Sequence, residues 1–430
     1  MVIDLDNSPL MAETSGRRGW LTHRVAPLPV ALIMAVLALF VLAGSARPAP
    51  GLRRVLVADG SSGVFALSSS ALFTAGSDAS AGDLTSVRRY SLADGSTTWT
   101  ARLPQPVGPL DFVASANVLV ATSADTGPIS VLDGDTGMVL WRDTSGATVL
   151  RLADTSALMS STATRTSVLR QVDLRTGTTL WSRSFDPAGY LDVGDPGLGA
   201  PTRIVTVNRQ GLAAVYNFTD GKVLTTADLG AVPTPDDNGR SDTAVFTVFD
   251  DRLYLMRRDS GKASMTAYRL GDLQQLWHST SAPVGNLTWC GSWLCVTTGS
   301  GMSVLDSADG SMRWSDTQWL FGYDARAVGI PGRSRLVVTD GQRDPRSALL
   351  DPATGRVLLT LGRSVFVGGI LLRSDEKKIG RTWVQVPGPG DTFRTVDHLD
   401  AVAPMRCDAA AGYLACPTST GSTAVLQIPN

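Results

Sequence analysis

The chain has 430 residues and a formal net charge of −1, with 38 Lys and Arg side chains against 39 Asp and Glu. This near balance provides no global positive field for nucleic acid, so we expect no nucleic-acid partner. The 43 glycines, the many Ser, Thr and Asp residues and the scarcity of Glu are typical of strands and turns rather than helices.

An uncharged apolar segment follows a short charged tail at the start of the chain. Residues 26–46 contain no charged side chain, and at ~1.5 Å per residue a helix over them would match the hydrocarbon core of a bilayer. We therefore predict a cytoplasmic tail at 1–24, a transmembrane helix or signal anchor at 25–46 and a linker at 47–51. A cleaved signal peptide is the open alternative. Both interpretations place the remaining chain on the extracytoplasmic side of the cell membrane, attached in the first case by this single span.

One short phrase recurs along the rest of the chain. Its clearest copy, ISVLDGDTGMVLW at 129–141, contains an apolar run, a polar turn that ends on glycine, and a Trp four residues later. Asp and Thr side chains can bond the backbone of such a turn, and glycine accepts the positive φ of a bulged hairpin. The glycine and Trp positions of the phrase are occupied by Gly95, Trp99, Gly137, Trp141, Gly177, Trp181, Trp277, Gly310 and Trp314.

The spacing of the phrase indicates the architecture. Successive copies stand about 40–45 residues apart, which is the period of a propeller blade or of a helical solenoid. Each period carries four short strand-like runs, which excludes the helical repeat. We therefore predict an all-β fold, a single β-propeller of four-stranded blades over residues 52–430. The five repeat Trp residues then pack between blades rather than form a sugar-binding ladder.

The two ends of this region complement each other. The segment 416–425 repeats the spacing of 295–304, but the chain stops after a third strand. A strand at 55–58 precedes the first blade and is predicted to close the last one. We favour eight blades within a range of seven to nine, and interpret part of 364–403 as an insertion or a distorted blade.

Four cysteines are compatible with export. Cys290 and Cys295, like Cys407 and Cys416, span the first and second strands of one predicted blade. Neighbouring strands hold such residues within disulfide reach, so we predict the bonds Cys290–Cys295 and Cys407–Cys416. Four free thiols are the alternative. No spacing of the kind that binds zinc is present, and we assign no metal ligand.

The recurring turn, Asp-x-x-Thr-Gly with a Trp four residues on, resembles the PQQ-like (quinoprotein alcohol dehydrogenase-like) propeller repeat over residues 52–430. The resemblance implies the fold. That superfamily contains quinone-dependent dehydrogenases, which stack their cofactor on a disulfide between adjacent cysteines, and non-enzymatic assembly scaffolds. No two cysteines are adjacent here, and the two glutamates do not supply the calcium ligands of those enzymes. No catalytic or cofactor-binding residue is carried over, and a non-enzymatic, membrane-anchored member without a cofactor is expected.

The sequence pattern assigns no catalytic role to the remaining candidate residues. We interpret the three histidines (His23, His278 and His398) as structural, and the acidic loop at 236–242 as solvated. The Trp residues off the repeat position are the candidate binding aromatics: Trp289, Trp293, Trp319 and Trp383.

Two functional hypotheses follow from these observations. The first is a membrane-anchored extracytoplasmic scaffold that binds a protein or polymer at the propeller face. The alternative is an extracytoplasmic enzyme, either a quinone-dependent oxidoreductase or an Asp-based hydrolase, with its site at the central channel. A disulfide platform, a calcium site or an acid cluster at the axis would favour the enzyme.

Overall fold

The computed structural model describes residues 51–59, 63–77, 84–123, 127–163, 166–185, 190–194, 201–208, 210–232, 244–259, 262–281, 283, 285–330, 334–341 and 345–429. The predicted tail at 1–24, the predicted membrane helix at 25–46, linker residues 47–50 and the acidic loop at 236–242 lie outside these residues. Within the described ranges, no helix has both the length and the apolar character needed to cross a membrane.

Residues 51–430 form one compact unit of β-structure. The strands of its first half are β1 (Arg53–Ala58), β2 (Val64–Leu67), β3 (Ala71–Ser77), β4 (Thr85–Ser91), β5 (Thr97–Leu103), β6 (Leu110–Val113), β7 (Val118–Thr122), β8 (Ile129–Asp133), β9 (Val139–Asp143), β10 (Thr148–Ala153), β11 (Ser156–Ala163), β12 (Thr166–Asp173), β13 (Thr179–Phe185), β14 (Tyr190–Val193), β15 (Arg203–Val207), β16 (Leu212–Asn217) and β17 (Val223–Asp228).

The second half continues the same pattern and adds two short 3₁₀ helices, at Ala325–Val328 and Pro404–Arg406. Its strands are β18 (Ala244–Phe249), β19 (Arg252–Asp259), β20 (Lys262–Arg269), β21 (Gln275–Ser279), β22 (Asn286–Cys290), β23 (Trp293–Thr298), β24 (Gly301–Asp306), β25 (Met312–Asp316), β26 (Phe321–Asp324), β27 (Leu336–Thr339), β28 (Arg346–Leu350), β29 (Val357–Val367), β30 (Ile370–Ser374), β31 (Arg381–Pro387), β32 (Phe393–Asp400), β33 (Asp408–Ala410), β34 (Tyr413–Pro417) and β35 (Thr423–Gln427).

The strands pair in chain order into antiparallel blades. Blade 1 is β2–β5, blade 2 is β6–β9, and the series continues to blade 6, β22–β25. The first strands of several neighbouring blades contact each other, as β2 contacts β6 and β18 contacts β22. The first strand of each blade therefore lies towards the centre of a ring and the fourth strand lies at its rim, as in a β-propeller.

Hydrogen bonding groups the described strands into eight sheets, seven with four strands and one with seven. The seven-stranded sheet holds two blades because they share β29. The first part of β29 pairs with β28 and completes blade 7, whereas residues 364–367 pair with β30 and begin blade 8. The eight blades favoured from the sequence equal the number of hydrogen-bonded sheets. Because one sheet contains two blades, the described strands form nine four-stranded blades, the upper end of the expected range.

The interpretation of part of 364–403 as an insertion or a distorted blade is wrong. This segment supplies the first strand of blade 8 and then β30, β31 and β32, paired in sequence. Its fourth strand pairs with β31 through seven residues, so the unit is as regular as its neighbours. The sequence did not favour a regular blade here because the segment lacks the turn glycine and Trp at the repeat positions.

The last blade takes its fourth strand from the start of the described chain. β1 pairs antiparallel with β35, from Arg53 opposite Gln427 to Ala58 opposite Thr423. Leu56 and Ala58 also join a buried cluster with Leu67 and other residues of blade 1. This single strand therefore connects the two ends of the ring.

A separate hydrophobic cluster lies between each pair of neighbouring blades. One such cluster joins Leu103 of blade 1 to Leu119 of blade 2, and equivalent clusters follow around the ring to blade 9 and back to blade 1. Every described blade is thus covered on both faces. Burial between blades, rather than one central core, supplies the hydrophobic stabilisation of the fold.

The repeat Trp residues pack between blades, each on its own blade's fourth strand. The Trp99 indole N–H donates to the Gly134 carbonyl of the next blade at 3.1 Å. A Cβ on Gly137, whose φ is +70°, would lie 2.6 Å from the Trp99 ring, so only glycine fits there. The same contact joins Trp141 to Gly177, Trp181 to Gly221, Trp277 to Gly310 and Trp314 to Gly355.

Candidate functional site

Turns from four consecutive blades enclose a cleft of about 530 Å³, here called the blade 4–7 cleft. Blade 4 contributes Arg203, blade 5 contributes Asp251, and blade 6 contributes Trp289 and Ser292. Arg326 follows the first strand of blade 7. Because each residue lies at or near the end of a packed strand, the scaffold positions the cleft rigidly.

Two neighbours hold the Arg326 guanidinium in place. Its Nε and Nη2 donate to the Asp324 carboxylate at 3.0 and 2.8 Å, and its Cζ lies 5.7 Å from the centroid of the Trp289 ring. Asp324 is 1% exposed and also accepts the Arg326 backbone N–H at the start of the 3₁₀ helix. Hydrogen bonding to Asp324 raises the pKa of Arg326, which therefore stays charged.

The turn between β22 and β23 closes against this ion pair. Gly291, with φ +76°, brings its backbone so near that an added Cβ would lie 2.6 Å from Asp324 Oδ2 and 3.2 Å from Ser334 Oγ. A side chain at this position would therefore displace the carboxylate that orients Arg326. Glycine is required here both for its backbone conformation and for the close approach.

The opposite wall of the cleft carries exposed charges. Arg203 Nη1 donates to Asp251 Oδ1 at 2.6 Å, and the Asp251 side chain is 61% exposed. Asp250 and Asp251 form a two-residue turn between β18 and β19, with φ of +49° and +45°. Both carboxylates line the cleft together with Arg203 and Arg326, so the cleft presents charges of both signs.

A second cavity, of about 830 Å³, lies between blades 2 and 3. Its lining combines Pro109 and Asp111 of blade 2 with Leu150 and Arg151 of blade 3. The pairing of β10 with β11 shifts register at Leu150, whose side chain is 38% exposed. This β-bulge aims an apolar side chain into the cavity.

Three carboxyl groups on the first strands of blades have raised pKa values. Burial is the main cause for Asp111, Asp192 and Asp408, and the charge of Asp408 raises the pKa of Asp111 further. Strand β2 contacts the strands that carry Asp111 and Asp408. Acids of this kind near the axis are a feature that the enzyme hypothesis predicts. In the part of the chain that the structure describes, no group of three or more His, Cys, Asp or Glu could hold a metal ion.

Both predicted disulfides are present, Cys290–Cys295 and Cys407–Cys416. The first lies in the cluster between blades 6 and 7, where its two cysteines are 1% and 0% exposed. Cys416 is also buried. Cys407 is only half-buried, but in both bonds the cysteines are separated in sequence and join neighbouring strands, so the residues do not fit the adjacent-cysteine platform of PQQ-like dehydrogenases.

The remaining sequence candidates have different environments. His278 Nδ1 lies 2.9 Å from Thr266 Oγ1, and the His398 ring lies 5.4 Å from that of Trp383. Trp319 is 3% exposed. The Arg313 guanidinium lies over the Trp293 ring, 5.1 Å from its centroid. His23 lies outside the described residues. Trp289 and Trp383 alone among these four candidate Trp residues line described cavities.

Sequence reasoning missed the charged residues of the blade 4–7 cleft. Arg203 and Asp251 are 48 positions apart, so no local spacing indicates their ion pair. Asp324 and Arg326 gave a weak local signal, because an Asp that ends an apolar strand and precedes Arg by two residues can bond it.

Comparisons with known proteins found one matching family model and several similar solved structures. The family model described as outer membrane protein assembly factor BamB matches residues 164–321. Among solved structures, the chain is similar to BamB from Moraxella catarrhalis, at 12% identity and a TM-score of 0.46 over 88% of this chain and 100% of that one. It is also similar to Sqt1 from Saccharomyces cerevisiae, at 12% identity and 0.47 over 89% and 100%.

A europium-containing methanol dehydrogenase is similar at 11% identity and a TM-score of 0.39, over 85% of this chain and 84% of that one. No curated protein matches the sequence.

Proposed function

We propose that this chain, which is a PQQ-like β-propeller, acts as a membrane-anchored extracytoplasmic scaffold that binds a protein partner in the blade 4–7 cleft. The family match carries the proposal, because its residues 164–321 contain nearly the whole cleft. Arg203, Asp251 and Trp289 lie inside the matched segment, and Arg326 follows five residues after its end.

The composition of the cleft favours a protein surface over a small apolar ligand. Arg and Trp are enriched among the residues that dominate protein interfaces, and here Arg326 lies against Trp289. Because Asp324 already fixes the Arg326 side chain, less side-chain conformational entropy is lost when a partner binds. Opposite charges at Arg203 and Asp251 would set the orientation of a complementary partner.

Two features support an extracytoplasmic location. Residues 26–46 form an uncharged apolar stretch long enough to cross a bilayer. The structure also contains two disulfides, and disulfides are rare in cytosolic proteins. Arg17, Arg18 and Arg24 precede the apolar stretch and would be retained inside.

Site-specific photo-crosslinking in intact cells tests the binding site. A photoreactive residue at Ser292, which is exposed in the cleft, should capture a discrete protein. The same residue at Ser182, exposed at the rim of blade 3, is the matched control and should capture none. Arg326→Lys keeps a positive charge beside the buried Asp324 carboxylate, so the protein should stay folded, but it loses the planar guanidinium against Trp289 and should weaken the Ser292 adduct. Equal adducts at both positions, or an adduct indifferent to Arg326→Lys, would refute the site.

Protease treatment of intact spheroplasts tests the location independently. The propeller should be digested or released, whereas an epitope placed within residues 1–24 should survive. A propeller that stays protected until the membrane is broken would refute the extracytoplasmic placement and leave the cleft proposal to the crosslinking result.

A further inference from the structure

Blade 8 carries an aromatic cavity that the proposed scaffold function does not use. A cavity of about 340 Å³, here called the blade 8 cleft, is lined by Trp383 and Gln385 of β31, Thr395 of β32, Arg373 and Ser374 at the end of β30, and residues 375–377 after that strand. Its volume lies at the lower end of the range of ligand pockets. The cleft lies far along the chain from the family match and from the blade 4–7 cleft.

Trp383 differs from the five Trp residues that join neighbouring blades. Four of those lie four residues after a turn glycine and Trp277 lies four residues after Leu273, whereas Trp383 lies within β31, between Arg373 and His398 on the adjoining strands. In blade 7, Leu359 lies four residues after Gly355, at the position that the repeat Trp occupies in other blades. The fourth strand of blade 7 therefore packs no indole against blade 8. Trp383 is half-buried and faces the cleft.

The Trp383 side chain is held in position by its neighbours. It lies near the Asp375 carboxylate and helps to lower the pKa of that group. The Arg381 guanidinium lies 5.7 Å from the ring centroid, and the His398 ring lies 5.4 Å away at an interplanar angle of 60°. The indole is therefore oriented before any ligand arrives, which lowers the entropic cost of binding.

The charges of the cleft lining cancel. Arg373 and Lys377 are balanced by Asp375 and Glu376. Because the lining has no surplus of either sign, it does not favour a polyanion or a polycation over a neutral ligand. A nucleic acid or an acidic polymer would need a basic excess here.

Uncharged hydrogen-bonding groups complete the cleft. Gln385 Nε2 donates to Thr395 Oγ1 at 2.9 Å, an arrangement that orients the amide oxygen and the second N–H of Gln385. The lining thus combines an aromatic ring with donors and acceptors placed around it. A saccharide has the complementary structure, with C–H groups that are attracted to the negative face of an indole and hydroxyl groups that both donate and accept.

We propose that the blade 8 cleft binds a neutral saccharide chain, with one sugar ring against Trp383 and its hydroxyl groups bonded to Gln385 and the charged lining residues. This site would serve alongside the protein-binding cleft and does not depend on it.

Isothermal titration of the full-length protein, purified without a glycosidic detergent, tests the proposal with chitotetraose and cellotetraose as probes. At least one should bind, and raising the salt concentration should leave the affinity unchanged because the ligand is neutral. Trp383→Ala should weaken binding about tenfold or more, whereas Trp383→Phe should restore part of it. Gln385→Ala, at a half-buried position less prone to unfold the blade, should also weaken it.

Trp289→Ala is the matched control, because it removes an indole from the other cleft, and it should leave saccharide affinity unchanged. The proposal fails if neither probe binds, if Trp383→Ala and Gln385→Ala both bind like the wild type, or if only dextran sulfate binds in a salt-sensitive way.

Discussion

At the contact between blades 4 and 5, Leu273 stands in place of the turn glycine and Thr225 stands in place of the Trp. Thr225 occupies the Trp position on the last strand of blade 4, and Leu273 occupies the glycine position in the turn of blade 5. Leu273 has a φ of +55°, which is unfavourable for leucine, yet it is only 4% exposed in the cluster between these blades. We infer that its side chain fills the space that an indole occupies at the other contacts.

A double-mutant cycle tests this compensation. Leu273→Gly should destabilise the protein by about 1–2 kcal/mol, since the lost burial exceeds the relief of backbone strain. Thr225→Trp should also destabilise it, because the indole meets Leu273. The double variant should be more stable than the two single effects predict when unfolding is followed in urea. Simple additivity would show that the two positions are independent.

A second prediction concerns the contact between Trp99 and Gly137. Gly137→Ala should destabilise the protein because it strains the backbone and places a methyl group against the indole. Gly412→Ala is the matched control, because Gly412 also has a positive φ, +83°, but no atom lies within 4 Å of its added Cβ. Gly137→Ala should cost roughly 1–3 kcal/mol more than the control. Equal losses in thermal melts would mean that backbone strain alone selects glycine.

These contacts explain which features the sequence could reveal. The turn glycine and the Trp belong to one local phrase, so their spacing predicted both the blades and the packing of Trp141 or Trp181 between them. Blade 8 has no such phrase, since its last turn contains Gly388 and Gly390 without a following Trp. Its strands were visible as apolar runs, but nothing local showed that β29 runs on from blade 7 into blade 8.

The candidate clefts were less accessible to sequence reasoning for a physical reason. The blade 4–7 cleft forms where turns from four blades meet, so its charged residues are brought together only by ring closure. Trp289 and Trp383 were identified because they depart from the repeat, which is a local observation. Their partners Arg326 and Gln385 belong to turns and strands whose sequences resemble many others in the chain.

Burial of acids on the first strands predicts an unusual dependence of stability on pH. A carboxyl group whose pKa is higher in the folded than in the unfolded protein makes stability fall as the pH rises above its ordinary pKa of 3.8. Asp111→Asn and Asp408→Asn should therefore each raise the melting temperature slightly at neutral pH, with little effect below 3.8. The double variant should gain less than the sum, because each charge is relieved by removal of the other.

Asp306→Asn is the control of opposite sign. The hydrogen bond from Arg313 lowers the pKa of Asp306, so its ionised form stabilises the fold above the ordinary pKa of Asp, and this contribution disappears as the pH falls below it. The variant should melt at a lower temperature at neutral pH. If Asp111→Asn behaves in the same way as Asp306→Asn, burial is not the dominant influence on the Asp111 carboxyl group.

The final prediction concerns the strand that closes the ring. Leu56 and Val57 are neighbours on β1, but Leu56 is 8% exposed against blade 1 whereas Val57 is 44% exposed. Leu56→Asp places a charge between the blades and should destabilise the protein by about 3 kcal/mol or more. Val57→Asp changes the same strand by the same chemistry and should stay within about 0.5 kcal/mol of the wild type.

Deletion of Arg53–Ala58 extends the test to the whole strand. It should expose the edge of β35, and an unpaired edge invites association with other chains. Size-exclusion chromatography should then show aggregates, and the melting transition should broaden or move to lower temperature. Because the closing strand covers blade 1 as well as β35, its loss should weaken the contact on both sides. A deletion variant or a Leu56→Asp variant that melts like the wild type would show that the ring does not depend on this closure.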